Sequence, residues 1–203
     1  MKIAIDIDDT LSNTADPLFS FYSLKLGKKF KREDHIQYEL HKTLNCTREE
    51  SRKILNEFHQ NGQLGEVLPL DYSIEAVNEL KKKHELFIIT SRPLQFKQTT
   101  FDWIKKHLPI KESNIIFAED IYKEGNRKSK ANICKELGIN IMIEDAAHHA
   151  LDCAKIGIKV ILFDNPWNEK LKHKDLTRVK SWKEAMKSIE KTGKGSTKRS
   201  SKT

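Results

Sequence analysis

The chain has 203 residues, of which 37 % are hydrophobic and 33 % are charged, and its formal net charge is +8. This length fits one domain, or one domain with a sizeable insert, and no apolar run approaches the ~18 residues that span a membrane, so no membrane partner is expected. Acidic side chains near the start argue against an export signal, and the 3 widely spaced cysteines form neither a disulfide framework nor a CxxC metal site, so we expect a reducing cytoplasm.

The first third of the chain predicts one strand followed by helices. Residues 1–8 alternate and are rich in β-branched side chains, which predicts a short buried strand. An Asp-Pro pair, with Asp16 as the N-cap, predicts a helix over residues 16–26 that a glycine ends. A Thr-Arg-Glu-Glu capping box opens a second helix over residues 47–60. The Leu-Pro-Leu sequence at 68–70 predicts a hinge back to the main domain.

From residue 72 onward, helices and strands alternate. The predicted helices cover residues 73–83, 94–107, 130–137, 146–156 and 182–189, and the predicted strands cover residues 86–90, 114–118, 140–144 and 158–163. This alternation indicates an α/β, Rossmann-like, mainly parallel sheet with helices on both faces. We expect residues 1–12 and 69–190 to form this core, and residues 13–68 to form a small helical cap inserted after the first strand.

The end of the chain is strongly basic. Residues 191–203 carry Lys191, Lys194, Lys198, Arg199 and Lys202, no acidic residue and no apolar one. Such a composition predicts a disordered basic tail. The tail could touch nucleic acid weakly, but we expect a solvated extension rather than a nucleic-acid partner.

Acidic side chains follow two of the predicted strands. Asp6 and Asp8 are two residues apart in an extended segment and therefore point to the same face. Glu144 and Asp145 follow a later strand. Ligands bind at the carboxyl ends of strands in such sheets. Because adjacent carboxylates repel each other, they require a cation between them, protonation of one of them, or chemistry that uses both. Oxygen ligands of this kind suit Mg²⁺. Taken singly, Asp145 could merely cap the following helix.

Groups suited to a phosphoryl oxyanion lie near other strand ends. Thr90, Ser91 and Arg92 follow the second core strand and offer two hydroxyls and a guanidinium. Lys130 stands at a helix start, where a cation gains nothing from the macrodipole and an anion nearby would explain it. A carboxylate such as Asp6 can attack phosphorus and form an aspartyl-phosphate. Each of these residues alone has an ordinary explanation in turn or surface chemistry, so the combination carries the interpretation.

These segments resemble a known family. DIDDT, the apolar segment ending in TSR, a lysine ahead of a helix, and IED are similar to motifs one to four of the haloacid-dehalogenase-like phosphohydrolases. The likeness covers residues 1 to about 165 and places residues 13–68 in the position of a cap. Segments 33–38 and 135–145 resemble the 5′(3′)-deoxyribonucleotidases and related bacterial nucleotidases.

The resemblance implies roles for the acidic residues. Asp6 would be the nucleophile and a Mg²⁺ ligand. Asp8 would be the general acid for the leaving group and then the general base for water, with its backbone carbonyl binding Mg²⁺. Asp145 would be the third protein ligand of the metal, supported by Glu144.

The same resemblance implies the phosphate-binding groups. Thr90, helped by Ser91, would hydrogen-bond the phosphoryl oxygens, and Lys130 would neutralise charge shared by the phosphate and the nucleophile. Lys128 is a close rival for that lysine. The sequence departs from the family pattern at His149, where many members carry a second acid.

The substrate implied by the resemblance is a nucleoside monophosphate, and Tyr38 and Arg92 are our candidates for contact with it. An aromatic side chain that stacks on a nucleobase can contribute ~1–3 kcal/mol. Two alternatives stay open: the same chemistry on another small ester such as a sugar phosphate, and a non-catalytic phospho-acceptor or interaction module. A receiver-type domain would lack a cap and place its acceptor on a later strand, so the first-strand position of Asp6 favours the hydrolase.

Overall fold

The computed structural model describes residues 1–36, 39–118 and 128–197. Within these ranges the strands are β1 (Lys2–Ile5), β2 (Glu85–Thr90), β3 (Ile115–Phe117), β4 (Ile141–Glu144), β5 (Lys159–Phe163) and β6 (Leu176–Val179). The α-helices are α1 (Ala15–Leu26), α2 (Leu40–Leu44), α3 (Arg48–Gln60), α4 (Gln63–Glu66), α5 (Ser73–Lys81), α6 (Lys97–His107), α7 (Lys130–Leu137), α8 (Ala147–Lys155) and α9 (Trp182–Thr197). None of the described helices is both long and apolar enough to cross a membrane.

The strand β1 lies inside the sheet, whose order is β3-β2-β1-β4-β5-β6. All neighbouring strands are parallel, and Ile5 pairs with Ile88 of β2 on one side and with Ile143 of β4 on the other. The chain adds β2 and β3 on one side of β1 and then crosses to place β4 on the other side. This change of direction opens a crevice at the carboxyl ends of β1 and β4, which is where sheets of this kind bind ligands.

Helices cover both faces of the sheet. Ile3 and Ile5 point to one face and pack in a cluster with α5, α6 and α9, whereas Ala4 and Met142 point to the other and pack with α7 and α8. Successive strand residues face opposite sides, so a strand buried on both sides must be apolar throughout, as β1 and β4 are. The predicted α/β, Rossmann-like, parallel architecture is confirmed.

Helices α1 to α4 occupy the predicted cap segment, residues 13–68. Phe19 and Tyr22 of α1 pack with apolar side chains of α2 and α3 in a cluster separate from the two core clusters. The buried hydroxyl of Tyr22 donates to the backbone oxygen of Ser51 at 2.7 Å. The capping box predicted at the start of α3 is present, since Thr47 accepts from the backbone N–H of the residue three positions on.

The start of α1 differs from the prediction. The helix begins at Ala15, so Asp16 lies in its first turn, and its predicted role as N-cap is wrong. Its carboxylate instead accepts from the side chains of Arg32 and Asn13. The backbone N–H of Ala15 donates at 3.1 Å to Asp9, so a carboxylate outside the helix binds a donor in its first turn.

Two elements near the C-terminal end also differ from the prediction. The edge strand β6 was not predicted, because Leu176 and Val179 are its only apolar residues and only the latter is buried. Helix α9 was expected to end at residue 189 but continues to residue 197, so the backbone is helical over part of the tail predicted to be disordered. Once buried side chains have nucleated a helix, each residue added at its end is fixed by one further backbone hydrogen bond, so the helix can extend beyond its buried part. Residues 198–203 lie outside the described part of the chain.

Candidate active site

A buried ion-pair cluster lies at the carboxyl ends of β1 and β4. The ammonium of Lys130, the first residue of α7, donates to Asp6 Oδ1 at 2.5 Å and to Glu144 Oε2 at 2.8 Å. Lys130 is 1 % exposed, Asp6 5 % and Glu144 0 %. The hydroxyl of Ser129 accepts the backbone N–H of the third helical residue and so defines where α7 begins. The structure therefore brings together the predicted Asp6 and Lys130, 124 positions apart.

Lys128, the rival to Lys130, is placed elsewhere. Its ammonium pairs with Glu136 at 2.7 Å, and the two side chains are 59 % and 53 % exposed. The lysine beside Asp6 is therefore Lys130.

Three carboxylates meet in this cluster. Asp6, Glu144 and Asp145 each offer an oxygen atom within 4.8 Å of the others. Burial raises the pKa of Asp6 to about 8, and the charge of Glu144 acts in the same direction against the opposing effect of Lys130. Burial and the same neighbouring carboxylate raise the pKa of Asp145 as well. One ammonium faces three carboxylates, so the cluster is short of positive charge, and its buried oxygen donors fit a hard divalent cation such as Mg²⁺.

Asp8 is held by a different cation. Its carboxylate accepts from Arg92 Nη2 at 2.7 Å and Nε at 3.0 Å, and from the hydroxyl of Thr14 at 2.6 Å. Burial acts to raise the pKa of Asp8, but the Arg92 guanidinium and these hydrogen bonds lower it below its ordinary value. Arg92 is 3 % exposed and binds Asp8, and its contact with substrate stays a prediction.

The hydroxyls after β2 differ in their surroundings. Thr90 is fully buried, and its Oγ1 accepts the backbone N–H of Arg92 at 3.1 Å. Ser91 lines a cavity of about 220 Å³, and Asp6, Asp8 and Lys130 also line it. Of the two predicted phosphate-binding hydroxyls, the one of Ser91 faces this cavity.

His149 lines the same cavity and contacts Ser91. Its Nε2 lies 3.2 Å from the hydroxyl of Ser91, and its ring packs against that of His148 with centroids 3.8 Å apart and the two planes tilted by 40°. Burial, with the charge of Lys130, lowers the pKa of His149, so the imidazole is neutral. The position where many family members carry an acid thus holds a neutral ring against Ser91.

A second cavity, of about 150 Å³, opens next to the acidic cluster. Its aromatic walls are Phe19, His35 and Trp167, with ring centroids 5.5 Å apart for the first pair and 5.3 Å for the second. Asp145 lines both cavities, so they adjoin at the acidic cluster. Tyr38, the other predicted substrate contact, lies outside the described residues.

Sequence reasoning missed three groups around the site. Asp9 is buried, accepts from Arg32 Nη2 at 2.7 Å, and has its pKa raised to about 6 by burial. Trp167 Nε1 donates to Asp145 Oδ2 at 2.9 Å. Asn168 donates to the backbone oxygen of Asp145 at 2.6 Å. The Asn-Pro-Trp-Asn sequence after β5 also stands at a strand end, and that placement could have drawn attention to it.

The comparisons with known proteins agree with this geometry. The family model described as 5′ nucleotidase, deoxy (pyrimidine), cytosolic type C protein matches residues 1–194. The chain is 29 % identical over 189 residues to YqfW of Bacillus subtilis (strain 168), covering 92 % of each chain. It is 25 % identical over 188 residues to a nucleotidase of Clostridium acetobutylicum, covering 91 % of each.

A solved structure shares the fold. A haloacid dehalogenase-like family hydrolase from Streptococcus pneumoniae matches with a TM-score of 0.65 at 15 % identity, covering 93 % of this chain and 97 % of that one. The family model thus confirms the resemblance to the 5′(3′)-deoxyribonucleotidases, and the solved structure confirms the fold.

Proposed function

Because this chain belongs to the family of cytosolic type C 5′ nucleotidases, and is therefore a hydrolase of phosphoric monoesters, we propose that it hydrolyses nucleoside monophosphates. In this proposal the reaction depends on Mg²⁺ and passes through an aspartyl-phosphate on Asp6. The 5′-phosphates of nucleosides and deoxynucleosides are the expected substrates. The 3 cysteines are free thiols, which supports a reducing, cytoplasmic location.

The observation that carries the proposal is the buried cluster of Asp6, Lys130, Glu144 and Asp145 at one crevice of the sheet. Phosphoryl transfer needs a nucleophile surrounded by positive charge, because the transition state spreads negative charge over the equatorial oxygens. Asp6, Glu144 and Asp145 are the side chains that would hold Mg²⁺. The bound cation would supply charge stabilisation for the transferring group. Lys130 adds a fixed ammonium beside the nucleophile.

The proposed reaction has two halves. In the first, a carboxylate oxygen of Asp6 forms a bond to phosphorus, the bond from phosphorus to the ester oxygen breaks, and the leaving oxygen takes a proton from the carboxyl group of Asp8. In the second, water loses a proton to Asp8 and attacks the same phosphorus, the Asp6 ester bond breaks, and inorganic phosphate leaves. Ser91 and Lys130 would hydrogen-bond the phosphoryl oxygens throughout, with Thr90 behind them.

The ion pair with Arg92 bears on the role of Asp8. The lowered pKa keeps this carboxylate ionised, which is the form that a general base needs. To act as the acid in the first half, Asp8 must take up a proton that the Arg92 pair opposes. The same contact lowers the proton affinity of Asp8, so both the base role and the acid role require the Arg92 contact to loosen when substrate is bound.

The aromatic cavity supports a nucleotide over a sugar phosphate. A planar base can stack on Phe19, His35 or Trp167, and stacking on one aromatic is worth ~1–3 kcal/mol. The cavity adjoins the acidic cluster through Asp145, so one ligand could place its phosphoryl group at Asp6 and its base between the rings. We propose that the cap segment, residues 13–68, selects the substrate in this way.

The test is phosphate release from a panel of nucleoside and sugar monophosphates, with Mg²⁺ and with a chelator. We expect the wild-type chain to be active on nucleoside monophosphates with Mg²⁺ only, and Asp6→Asn to be inactive on every ester. Asp152→Asn is the matched control, because this carboxylate on α8 is 54 % exposed and pairs with Lys155 at 3.8 Å. Release that persists in Asp6→Asn or in chelator would contradict the mechanism, and a preference for sugar phosphates would contradict the substrate class.

A further inference from the structure

The chain has 3 tryptophans, and their indole N–H groups have different acceptors. Trp103 Nε1 donates to the backbone oxygen of Val67 at 2.7 Å, and Trp182 Nε1 donates to that of Thr10 at 2.8 Å. Both of these rings are 1 % exposed, so a backbone carbonyl is the ordinary partner that a buried indole needs. Trp167 instead donates to a carboxylate.

Trp167 and its neighbour hold Asp145 at two points. The indole Nε1 of Trp167 lies 2.9 Å from Oδ2 of Asp145. The side-chain amide of Asn168 donates to the backbone oxygen of Asp145 at 2.6 Å. It also donates at 2.7 Å to the backbone oxygen of Phe163, at the end of β5. The turn after β5 therefore fixes both the backbone and the carboxylate of Asp145.

We propose that Trp167 is a positioning residue for the metal ligand Asp145. The indole N–H binds Oδ2 and thereby leaves Oδ1 for the cation, in one orientation of the carboxylate. Hydrogen bonds to the far side of a metal ligand set the ligand's orientation, and losing one typically weakens metal affinity ~10–100-fold. This inference rests on the proposed function, since it assumes that Asp145 binds Mg²⁺.

The same ring is bound from the cap segment. The Arg32 guanidinium lies over the Trp167 ring, with its Cζ 5.5 Å from the centroid, and its Nη1 donates to Asn165 Oδ1 at 2.9 Å. His35, also in the cap segment, packs against the Trp167 ring at 5.3 Å between centroids. The orientation of Asp145 is thus linked through one indole to the segment that covers the site.

The substitution Trp167→Phe removes the hydrogen bond to Asp145 and keeps an aromatic ring in the wall of the cavity. Phenylalanine keeps a ring in the cavity but has no N–H to donate. We expect the dissociation constant for Mg²⁺, measured on the substrate-free chain by titration calorimetry, to rise about tenfold. The Mg²⁺ concentration that gives half-maximal activity, measured at saturating substrate, should rise by a similar factor. Trp182→Phe is the matched control, because it also removes an indole N–H bond and should leave Mg²⁺ affinity at the wild-type value.

A second measurement uses the wild-type chain and needs no tolerated substitution at Trp167. The indole N–H signals can be followed by ¹⁵N-resolved NMR and assigned with Trp103→Phe and Trp182→Phe. We expect Mg²⁺ to shift the Trp167 indole signal and to leave the other two in place.

Equal Mg²⁺ affinity of wild type and Trp167→Phe would overturn the inference, and so would equal weakening in Trp167→Phe and Trp182→Phe. A Trp167 signal that does not move in a chain that binds Mg²⁺ would overturn it as well. If the wild-type chain binds no Mg²⁺ at all, the failure belongs to the proposed function, which the calorimetry of the wild-type chain shows separately.

Discussion

Replacing Lys130 by methionine tests the electrostatics of the buried cluster. The Lys130 side chain taken alone is 2 % exposed, and the side chains of its partners Asp6 and Glu144 are 7 % and 0 % exposed. Methionine preserves the length of the chain but removes the ammonium, which leaves carboxylates buried without their cation. Breaking a buried pair in this way typically costs ~3–5 kcal/mol of unfolding free energy. Protonation of a carboxyl group whose pKa is already raised would bring the loss toward the lower end of that range.

The assay is urea unfolding followed by circular dichroism near neutral pH, without and with saturating Mg²⁺. We expect Lys130→Met to lose ~3–5 kcal/mol relative to the wild type without metal. With Mg²⁺ the loss should be smaller, because the cation would replace the missing positive charge and so stabilise the native state of the variant more than that of the wild type. The matched control is Lys128→Met, which removes an exposed ion pair and should cost ~0–1 kcal/mol. Equal losses in the two variants would refute the reasoning.

Further predictions concern the cap segment. Burial lowers the pKa of His35 from 6.5 to about 4, so the unfolded chain binds more protons between those values and stability should fall by ~2–3 kcal/mol as the pH drops through them. His35→Gln should lose less over that range in urea titrations, and an unchanged slope would contradict the assignment. Thr47→Ala removes the capping box of α3 and should lower the unfolding free energy by ~1 kcal/mol, which an unshifted urea midpoint would exclude. Phe19→Leu should raise KM for a nucleoside monophosphate about 5–10-fold with little change for ribose 5-phosphate, and equal effects on both would count against base stacking.

Local signals in the sequence predicted much of the fold. The strand β1, the capping box at Thr47 and the start of α7 were recoverable because each depends on neighbouring residues. The edge strand β6 was not, since a half-exposed edge has no alternating apolar pattern. The extension of α9 was not recoverable either. The composition of residues 191–197 favours disorder, and composition alone does not show that a helix nucleated by the preceding residues can continue.

The site was predictable where it depends on strand ends, and not where it depends on loops. Asp6 and Asp145 follow neighbouring strands of one parallel sheet, and Lys130 begins the helix that leads into the second of these strands. The topology of the sheet therefore brings the three residues together. The ion pair of Arg92 with Asp8 was not predicted, because a sequence does not show that two residues 84 positions apart are in contact. The contact of Trp167 with Asp145 depends on how the turn after β5 folds back, which no periodicity encodes.

The central claim is that phosphate passes through a covalent bond to Asp6. Acid-quenched turnover mixtures of the wild type and of Asp8→Asn, analysed by intact and peptide mass spectrometry, test it most directly. We expect one phosphoryl group on the peptide that contains Asp6, with more of it in Asp8→Asn, because loss of the base slows hydrolysis of the intermediate. Phosphate released by the wild type, with no phosphoryl group on that peptide in either protein, would contradict the account.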